Sequence, residues 1–124
     1  MSNVTAPQSP SPSPRVTVEV VETDTAHFDA EVLASPVPVL VDFATPWCAP
    51  CRALEPTLHG LARAHAGKLR VVRVDADANP EIAQRYLVRG FPTVIAFAGG
   101  EERGRHVGVT NAATLLGLAG LAER

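Results

Sequence analysis

The segment Val37–Ala44 is an almost unbroken run of apolar and β-branched residues, VPVLVDFA. Such a run is typical of a strand that is covered on both faces, because a half-exposed strand would alternate apolar and polar side chains. A sheet covered on both faces needs helices above and below it. The run therefore predicts an α/β fold with a central sheet, and it contains a single acidic residue, Asp42.

Apolar patterning predicts the other elements in a regular order along the chain. Further strands are predicted at Val16–Val21, Leu69–Val74, Thr93–Ala98 and Arg103–Val107. Helices are predicted at Ala26–Ala34, Pro50–His65, Pro80–Leu87 and Asn111–Ala122. The alternation of strands and helices fits one sheet that lies between two helical layers.

The 124 residues suffice for one domain. Residues 1–14 are uncharged and dominated by Ser and Pro, so we expect a disordered N-terminal tail there. A ligand for a proline-binding module is the alternative for this tail. The net charge of −2 argues against nucleic acid as a partner. No apolar stretch reaches the ~20 residues of a membrane span, so we expect no membrane segment.

The two cysteines stand three residues apart in Trp47-Cys48-Ala49-Pro50-Cys51, where a buried strand ends and a helix begins. Positions i and i+3 of a helical turn bring two Cα atoms within the roughly 4.4–6.8 Å that a disulfide requires. Free N–H groups of the first helical turn stabilise a thiolate, which favours Cys48 as the attacking sulfur. Cys51 lies one turn further in and suits a resolving role.

Three other interpretations of the cysteine pair stay open at this point. Half of a zinc site is one, although the chain offers no second ligand pair near the cysteines. A pair of buried structural thiols is another, although a helix N-terminus beside a Trp-Pro loop favours exposure. A papain-like Cys–His nucleophile is the third, and it would need a longer chain.

Asp42 and Pro92 are two further candidates. Burial raises the pKa of a carboxyl group, so Asp42 fits a proton acceptor for the second thiol. It fits equally well an acid that hydrogen-bonds a loop. Pro92 precedes a strand in Gly90-Phe91-Pro92-Thr93, and an X-Pro bond there allows either isomer. A cis bond would shape the backbone to dock an extended peptide.

In order and spacing, these motifs resemble the thioredoxin family from about Val16 to Ala122. The matching segments are Val41-Asp42-Phe43, Trp47-Cys48-Ala49-Pro50-Cys51-Arg52 with Pro56, Asp77-Ala78-Asn79-Pro80, Arg89-Gly90-Phe91-Pro92-Thr93, Phe97–Glu101 and Val107-Gly108. The resemblance implies the thioredoxin fold, with a central five-stranded mixed sheet flanked by four helices. It also implies that the domain occupies residues 15–124.

The resemblance further implies a role for each matched residue. Cys48 would be the nucleophile, Cys51 the resolving thiol and Asp42 the buried acid. Pro92 would be a cis-proline that faces the disulfide. Substrate proteins would dock on a shallow apolar surface formed by Trp47, Ala49, Pro50, Gly90, Phe91, Thr93 and Gly108. No metal is implied, and no cofactor beyond the redox-active Cys48–Cys51 disulfide.

From this resemblance we expect a general protein-disulfide reductase, recycled by an NADPH-dependent thioredoxin reductase and active as a cytoplasmic monomer on disulfide-containing proteins. A thiol oxidant or isomerase is one alternative, because redox potential sets the direction of exchange. A thioredoxin-like binding or chaperone module is the other. Three residues depart from the family pattern: Ala49 replaces a glycine, Ala44 a frequent tryptophan, and Arg73 a lysine near the buried acid.

Overall fold

A computed structural model describes residues 19–121. The strands in this range are β1 (Val21–Thr23), β2 (Val39–Ala44), β3 (Arg70–Asp75), β4 (Thr93–Ala98) and β5 (Glu101–Val107). The helices are a π-helical segment (Asp29–Leu33), α1 (Ala49–Ala64), α2 (Pro80–Arg85) and α3 (Ala112–Leu118). The predicted order of strands and helices is confirmed. The Ser/Pro-rich segment 1–14, the start of the first predicted strand and Ala122 lie outside the described residues.

The five strands form one mixed sheet in the order β1-β3-β2-β4-β5. β1 and β2 each run parallel to β3, whereas β4 runs antiparallel to both β2 and β5. β2 is the central strand, and all six of its residues are buried. The apolar run in the sequence therefore marks the centre of the sheet, and the predicted five-stranded mixed sheet is confirmed.

Side chains of β2 alternate between two separate cores, as the pleat of a strand requires. Val41 and Phe43 belong to the core that contains Phe28, the residue before the π-helical segment. Leu40 belongs to the opposite core, which includes Leu54 of α1 and Leu115 of α3. Asp42 alternates with Val41 and Phe43, so its side chain lies on the α1 side of the sheet.

Some predicted boundaries were wrong, because tertiary pairing and local backbone geometry set them. The first strand is Val21–Thr23 rather than Val16–Val21, since this is where the chain pairs with Val72–Val74 of β3. The last helix stops at Leu118 rather than Ala122. Gly120 has a positive φ of 77°, and its N–H donates to the Gly117 carbonyl, which is typical of a glycine that ends a helix.

The predicted end of helix α2 was also wrong. α2 ends at Arg85 rather than Leu87, because Leu87 adopts a left-handed backbone conformation with φ of 58°. A turn at Gly99-Gly100 follows β4, and β5 begins directly after it at Glu101 rather than at Arg103. Among residues 19–121, no helix has both the length and the apolar character needed to cross a membrane.

Candidate active site

Cys48 is the N-cap of α1, with Ala49 and Pro50 forming the start of the helix. Its Sγ accepts a hydrogen bond from the Cys51 N–H at 3.1 Å. Cys48 and Cys51 form a disulfide, and their Cα atoms are 5.3 Å apart. The first turn of α1 contains no acidic residue that would oppose a negative charge on sulfur. The free N–H groups and the helix dipole therefore stabilise a thiolate at Cys48.

Both cysteines are buried in the disulfide form. Cys48 is 4% exposed and Cys51 is fully covered, because both pack against Ala44 and partly buried Phe91. The expectation that this helix N-terminus would leave the cysteines exposed is therefore wrong: the loop that contains Phe91 covers the helix start. The expected order of shielding holds, with Cys51 deeper than Cys48.

Asp42 is 1% exposed, and neither of its carboxylate oxygens has a hydrogen-bond partner among the described residues. Burial without a partner favours the neutral form and raises the pKa of Asp42 to about 7. The positive charge of Arg73 lowers this pKa and the negative charge of Glu55 raises it, but desolvation dominates. A loop hydrogen bond, the alternative role for Asp42, is not observed within residues 19–121.

The register of the sheet and the contacts of α1 place Asp42 on the same side of the sheet as the cysteines. Ala44, two residues along β2 and on the same side of the sheet, packs against Cys48 and Cys51. Arg73 is the register partner of Asp42 on β3, and its Nη1 donates to Glu55 Oε2 at 2.7 Å. Glu55 lies four residues after Cys51, so the two face the same side of α1.

An open cleft of about 250 Å³ lies next to this buried acid. Ala44 and Arg73 line the cleft together with Thr45 and Asp75. Ala44 is the position at which the family often has tryptophan, and its small side chain leaves this space open. The cleft reaches two neighbours of Asp42, whereas Asp42 itself is 1% exposed and does not line it.

Pro92 lies at the start of β4, and the Phe91–Pro92 peptide bond is cis. The Pro92 carbonyl accepts a hydrogen bond from the Gly108 N–H at 2.8 Å, which ties this loop to the end of β5. Thr93 is buried and its hydroxyl donates to the Gly90 carbonyl at 2.7 Å. Its side chain therefore holds the loop in shape rather than presenting a surface to a partner.

Trp47 dominates the exposed surface around the cysteines, with 67% of its area accessible. Its ring meets Phe91 edge-on at 6.3 Å between centroids, and its Nε1 donates to Asp77 Oδ2 at 2.7 Å. Val107, on the strand beside Gly90, adds a further exposed apolar side chain. These groups form a shallow apolar surface around the disulfide, which we call the docking surface.

Besides Val107, the roles of two charged residues of the site were not predicted from the sequence. Asp77 orients the Trp47 indole, and nothing in the local pattern links two residues 30 positions apart. Glu55 pairs with Arg73. Its position four residues after Cys51 could have indicated this, because that spacing places it on the same side of α1 as Cys51. Within residues 19–121, no group of three or more His, Cys, Asp or Glu side chains is arranged to hold a metal ion.

The family model for thioredoxin matches residues 19–119 of this chain. The chain belongs to the thioredoxin family. It is 46% identical over 88 residues to "Thioredoxin 1" of Nostoc sp., an alignment that covers 71% of this chain and 82% of the relative. It is 41% identical over 100 residues to "Thioredoxin M-type, chloroplastic" of Zea mays, covering 81% of this chain and 60% of that longer protein.

A third thioredoxin relative is the "Bifunctional thioredoxin reductase/thioredoxin" of Mycobacterium leprae, 44% identical over 101 residues, or 82% of this chain and 21% of that protein. Thioredoxins work with thioredoxin reductases, and this relative carries both functions in its name. Members of the family are protein-disulfide oxidoreductases. Family membership and the Cys48–Cys51 pair therefore make this chain an oxidoreductase that acts by dithiol–disulfide exchange.

Proposed function

We propose that the protein is a general protein-disulfide reductase, with Cys48 as its nucleophile. The observation that carries this proposal is the position of Cys48 as the N-cap of α1, where its Sγ accepts the Cys51 N–H. That hydrogen bond and the helix dipole stabilise negative charge on Cys48, and only the thiolate attacks a disulfide. Cys51 has no comparable site and is fully covered.

The reduction proceeds in two exchange steps that transfer two electrons to the substrate. The Cys48 thiolate attacks one sulfur of a substrate disulfide, forming a mixed disulfide and releasing the other substrate sulfur as a thiolate. Cys51 then loses its proton and attacks Cys48 Sγ. This forms the Cys48–Cys51 disulfide and releases the second substrate sulfur, so that the substrate gains two thiols and the protein becomes oxidised.

Asp42 accepts the proton of Cys51, directly or through one water. Its carboxyl lies on the α1 side of the sheet, the side on which Ala44 packs against Cys51. With a pKa of about 7, Asp42 is present in both protonation states near neutral pH. A group with this property can accept a proton in one step and return it to solvent in the next.

Substrate proteins bind at the docking surface, where Trp47 and Phe91 provide apolar contact beside the disulfide. Ala49, Pro50, Gly90 and Gly108 complete this surface with small or backbone groups that let a partner approach closely. Thr93 contributes by fixing the Gly90 carbonyl. Pro92, at the head of β4, lies where an extended substrate segment would pair with the main chain.

The Cys48–Cys51 disulfide is returned to the dithiol by a thioredoxin reductase that draws on NADPH. We propose that the protein works as a cytoplasmic monomer and needs neither a metal nor any cofactor beyond its own disulfide. Its partners are disulfide-containing proteins, not nucleic acid or a membrane. The family relation supports the thioredoxin reductase as a partner, and the net charge of −2 supports the exclusion of nucleic acid.

A Cys51→Ser variant tests the two-step assignment. It retains the Cys48 nucleophile but lacks the resolving thiol, so we expect it to attack a disulfide of insulin or of another substrate, release one substrate sulfur as a thiolate, and remain joined to the other in a stable mixed disulfide. Non-reducing electrophoresis and mass spectrometry would detect this adduct at Cys48. Wild-type protein should reduce insulin catalytically with NADPH and a thioredoxin reductase, whereas the variant should not turn over.

Two outcomes would favour the alternative functions. If a Cys48→Ser/Cys51→Ser double variant binds the same partners as wild type and supports the same cellular phenotype, the chain is a binding module. If the wild-type couple oxidises reduced proteins in a glutathione buffer rather than reducing their disulfides, it is an oxidant or isomerase. Absence of the Cys48 adduct in Cys51→Ser would contradict the assignment of the nucleophile.

A further inference from the structure

We infer that Glu55 is a positioning residue for the proton transfer at Asp42, because it binds the Arg73 guanidinium and holds that charge away from the buried carboxyl. The inference rests on the proposed role of Asp42 as proton acceptor. Glu55 acts on Asp42 through its hydrogen bond to Arg73 and through its own charge. Its position on α1 therefore ties the helix that carries the cysteines to the strand beside Asp42.

Arg73 would be the natural partner of Asp42, since the two are register neighbours on adjacent strands and share the α1 side of the sheet. The contacts show a different pairing. Arg73 Nη1 donates to Glu55 Oε2 at 2.7 Å, and both Asp42 oxygens lack a hydrogen-bond partner within residues 19–121. The guanidinium is thus near enough to act on Asp42 by charge, but its hydrogen bond goes to Glu55.

The Arg73–Glu55 pair is partly shielded from water, with side chains 24% and 32% exposed. Partial shielding makes the pair stronger than a fully exposed one and restrains the guanidinium. A cation that turned to bond Asp42 would lower the pKa of that acid, by about 1–3 pH units for close contact. Glu55 opposes this change in two ways: it engages the cation, and it places a negative charge near Asp42.

The other titratable groups on the neighbouring strands make no hydrogen bond to Arg73 or to Asp42 within residues 19–121. These groups are Asp75 further along β3, Glu22 opposite Arg73 on β1, and His106 of β5, which is the register partner of Val94. On β4 itself the neighbour of Asp42 is the apolar Val94. Within the described part of the chain, Glu55 is the acid bonded to Arg73.

The test compares Glu55→Ala and Glu55→Gln in the oxidised protein. The midpoint of Asp42 titration, followed by carboxyl-carbon NMR, should fall by about one pH unit in Glu55→Ala, where Arg73 becomes free to turn. It should fall less in Glu55→Gln, which loses the charge but can still bond the guanidinium. Should the alanine variant fail to fold, the glutamine variant provides the same readout, because it conserves the shape of the side chain.

Glu102→Gln is the matched control. Glu102 also pairs with an arginine, Arg105, at 2.8 Å and with both side chains 32% exposed, but it lies on the edge strand β5. Its replacement should leave the Asp42 midpoint unchanged. An unchanged midpoint in both Glu55 variants would overturn the inference, as would a shift of the same size in Glu102→Gln.

A kinetic measurement links the shift to the proton step. The rate at which Cys51 resolves a preformed mixed disulfide at Cys48 should depend on pH. In Glu55→Ala this pH profile should move to lower pH. It should not move when Asp42→Asn is also present. A profile that stays in place in Glu55→Ala would overturn the inference. If Asp42→Asn alone left the resolution rate unchanged, the proposed proton acceptor would fail, whereas the titration in the oxidised protein would still report on Glu55.

Discussion

A Cys48→Ser variant is expected to lose disulfide reduction by at least about 10³-fold, because a hydroxyl at the helix N-terminus is not ionised and cannot replace the thiolate. The loss should come from the missing thiolate and not from a change in structure. A serine at an N-cap position still accepts a backbone N–H, so the helix start is preserved while the nucleophile is removed. The rate of insulin reduction with dithiothreitol measures the effect.

The control for this variant must separate lost chemistry from lost structure. Cys48→Ser also removes the disulfide, whose four-residue loop contributes about 2 kcal/mol to stability in the chain-entropy account. Wild-type protein in its reduced form is the matched reference, and circular dichroism should show the same fold for both. Insulin reduction by a folded Cys48→Ser variant at the wild-type rate would contradict the assignment of Cys48.

An Asp42→Asn variant is expected to be more stable than wild type at high pH and to lose most of that advantage at low pH. The folded protein holds Asp42 with a pKa of about 7 against the ordinary value of 3.8. Below pH 3.8 the acid is protonated in both folded and unfolded chains. Between these two values the unfolded chain ionises first, so wild type loses stability as the pH rises.

Above pH 7 this penalty is complete and corresponds to about 4 kcal/mol, the free energy of a rise in pKa of roughly three pH units. Asparagine stays neutral and has nearly the same shape, so it removes the pH-dependent part of the cost. Urea unfolding of the reduced proteins at pH 4 and pH 8.5 measures the difference. A stability difference that is the same at both pH values would show that Asp42 titrates normally.

The centre of the fold could be predicted from the sequence because its pattern is local. The apolar run of β2 and the leucine spacing of α1 report their own burial, and both elements were found at nearly the expected residues. The chemistry of the cysteine pair was also local, since a three-residue spacing at a helix start fixes their geometry. The strand-to-helix junction therefore specifies both the fold and the reactive pair.

The element ends could not be predicted because they depend on distant partners or on backbone conformation. β1 lies where β3 offers unpaired backbone groups, and the Val16–Val21 pattern contains no information about that register. The predicted helix Asn111–Ala122 contains two glycines near its end, Gly117 and Gly120, and the sequence does not show which of them takes the left-handed conformation.

The contacts within the site could not be predicted either, because they also depend on partners that are distant in the chain. A strand pattern shows that Asp42 is buried, but not that α1 covers it or that Arg73 turns to Glu55 instead. The burial of Cys48 was missed because the covering residue, Phe91, lies 43 positions away in the chain. The pKa of Asp42 and the burial of the cysteines therefore depend on side chains that meet only in the folded protein.

Equilibration of the Cys48–Cys51 couple against reduced and oxidised glutathione determines whether the dithiol is a reductant of protein disulfides. The fraction of disulfide is measured by alkylation and mass spectrometry as the glutathione ratio is varied. For a protein-disulfide reductase we expect a fully reversible transition with a midpoint more reducing than that of the glutathione couple, so that the dithiol donates electrons to protein disulfides. A midpoint on the oxidising side, or a pair that never closes and reopens, would contradict it.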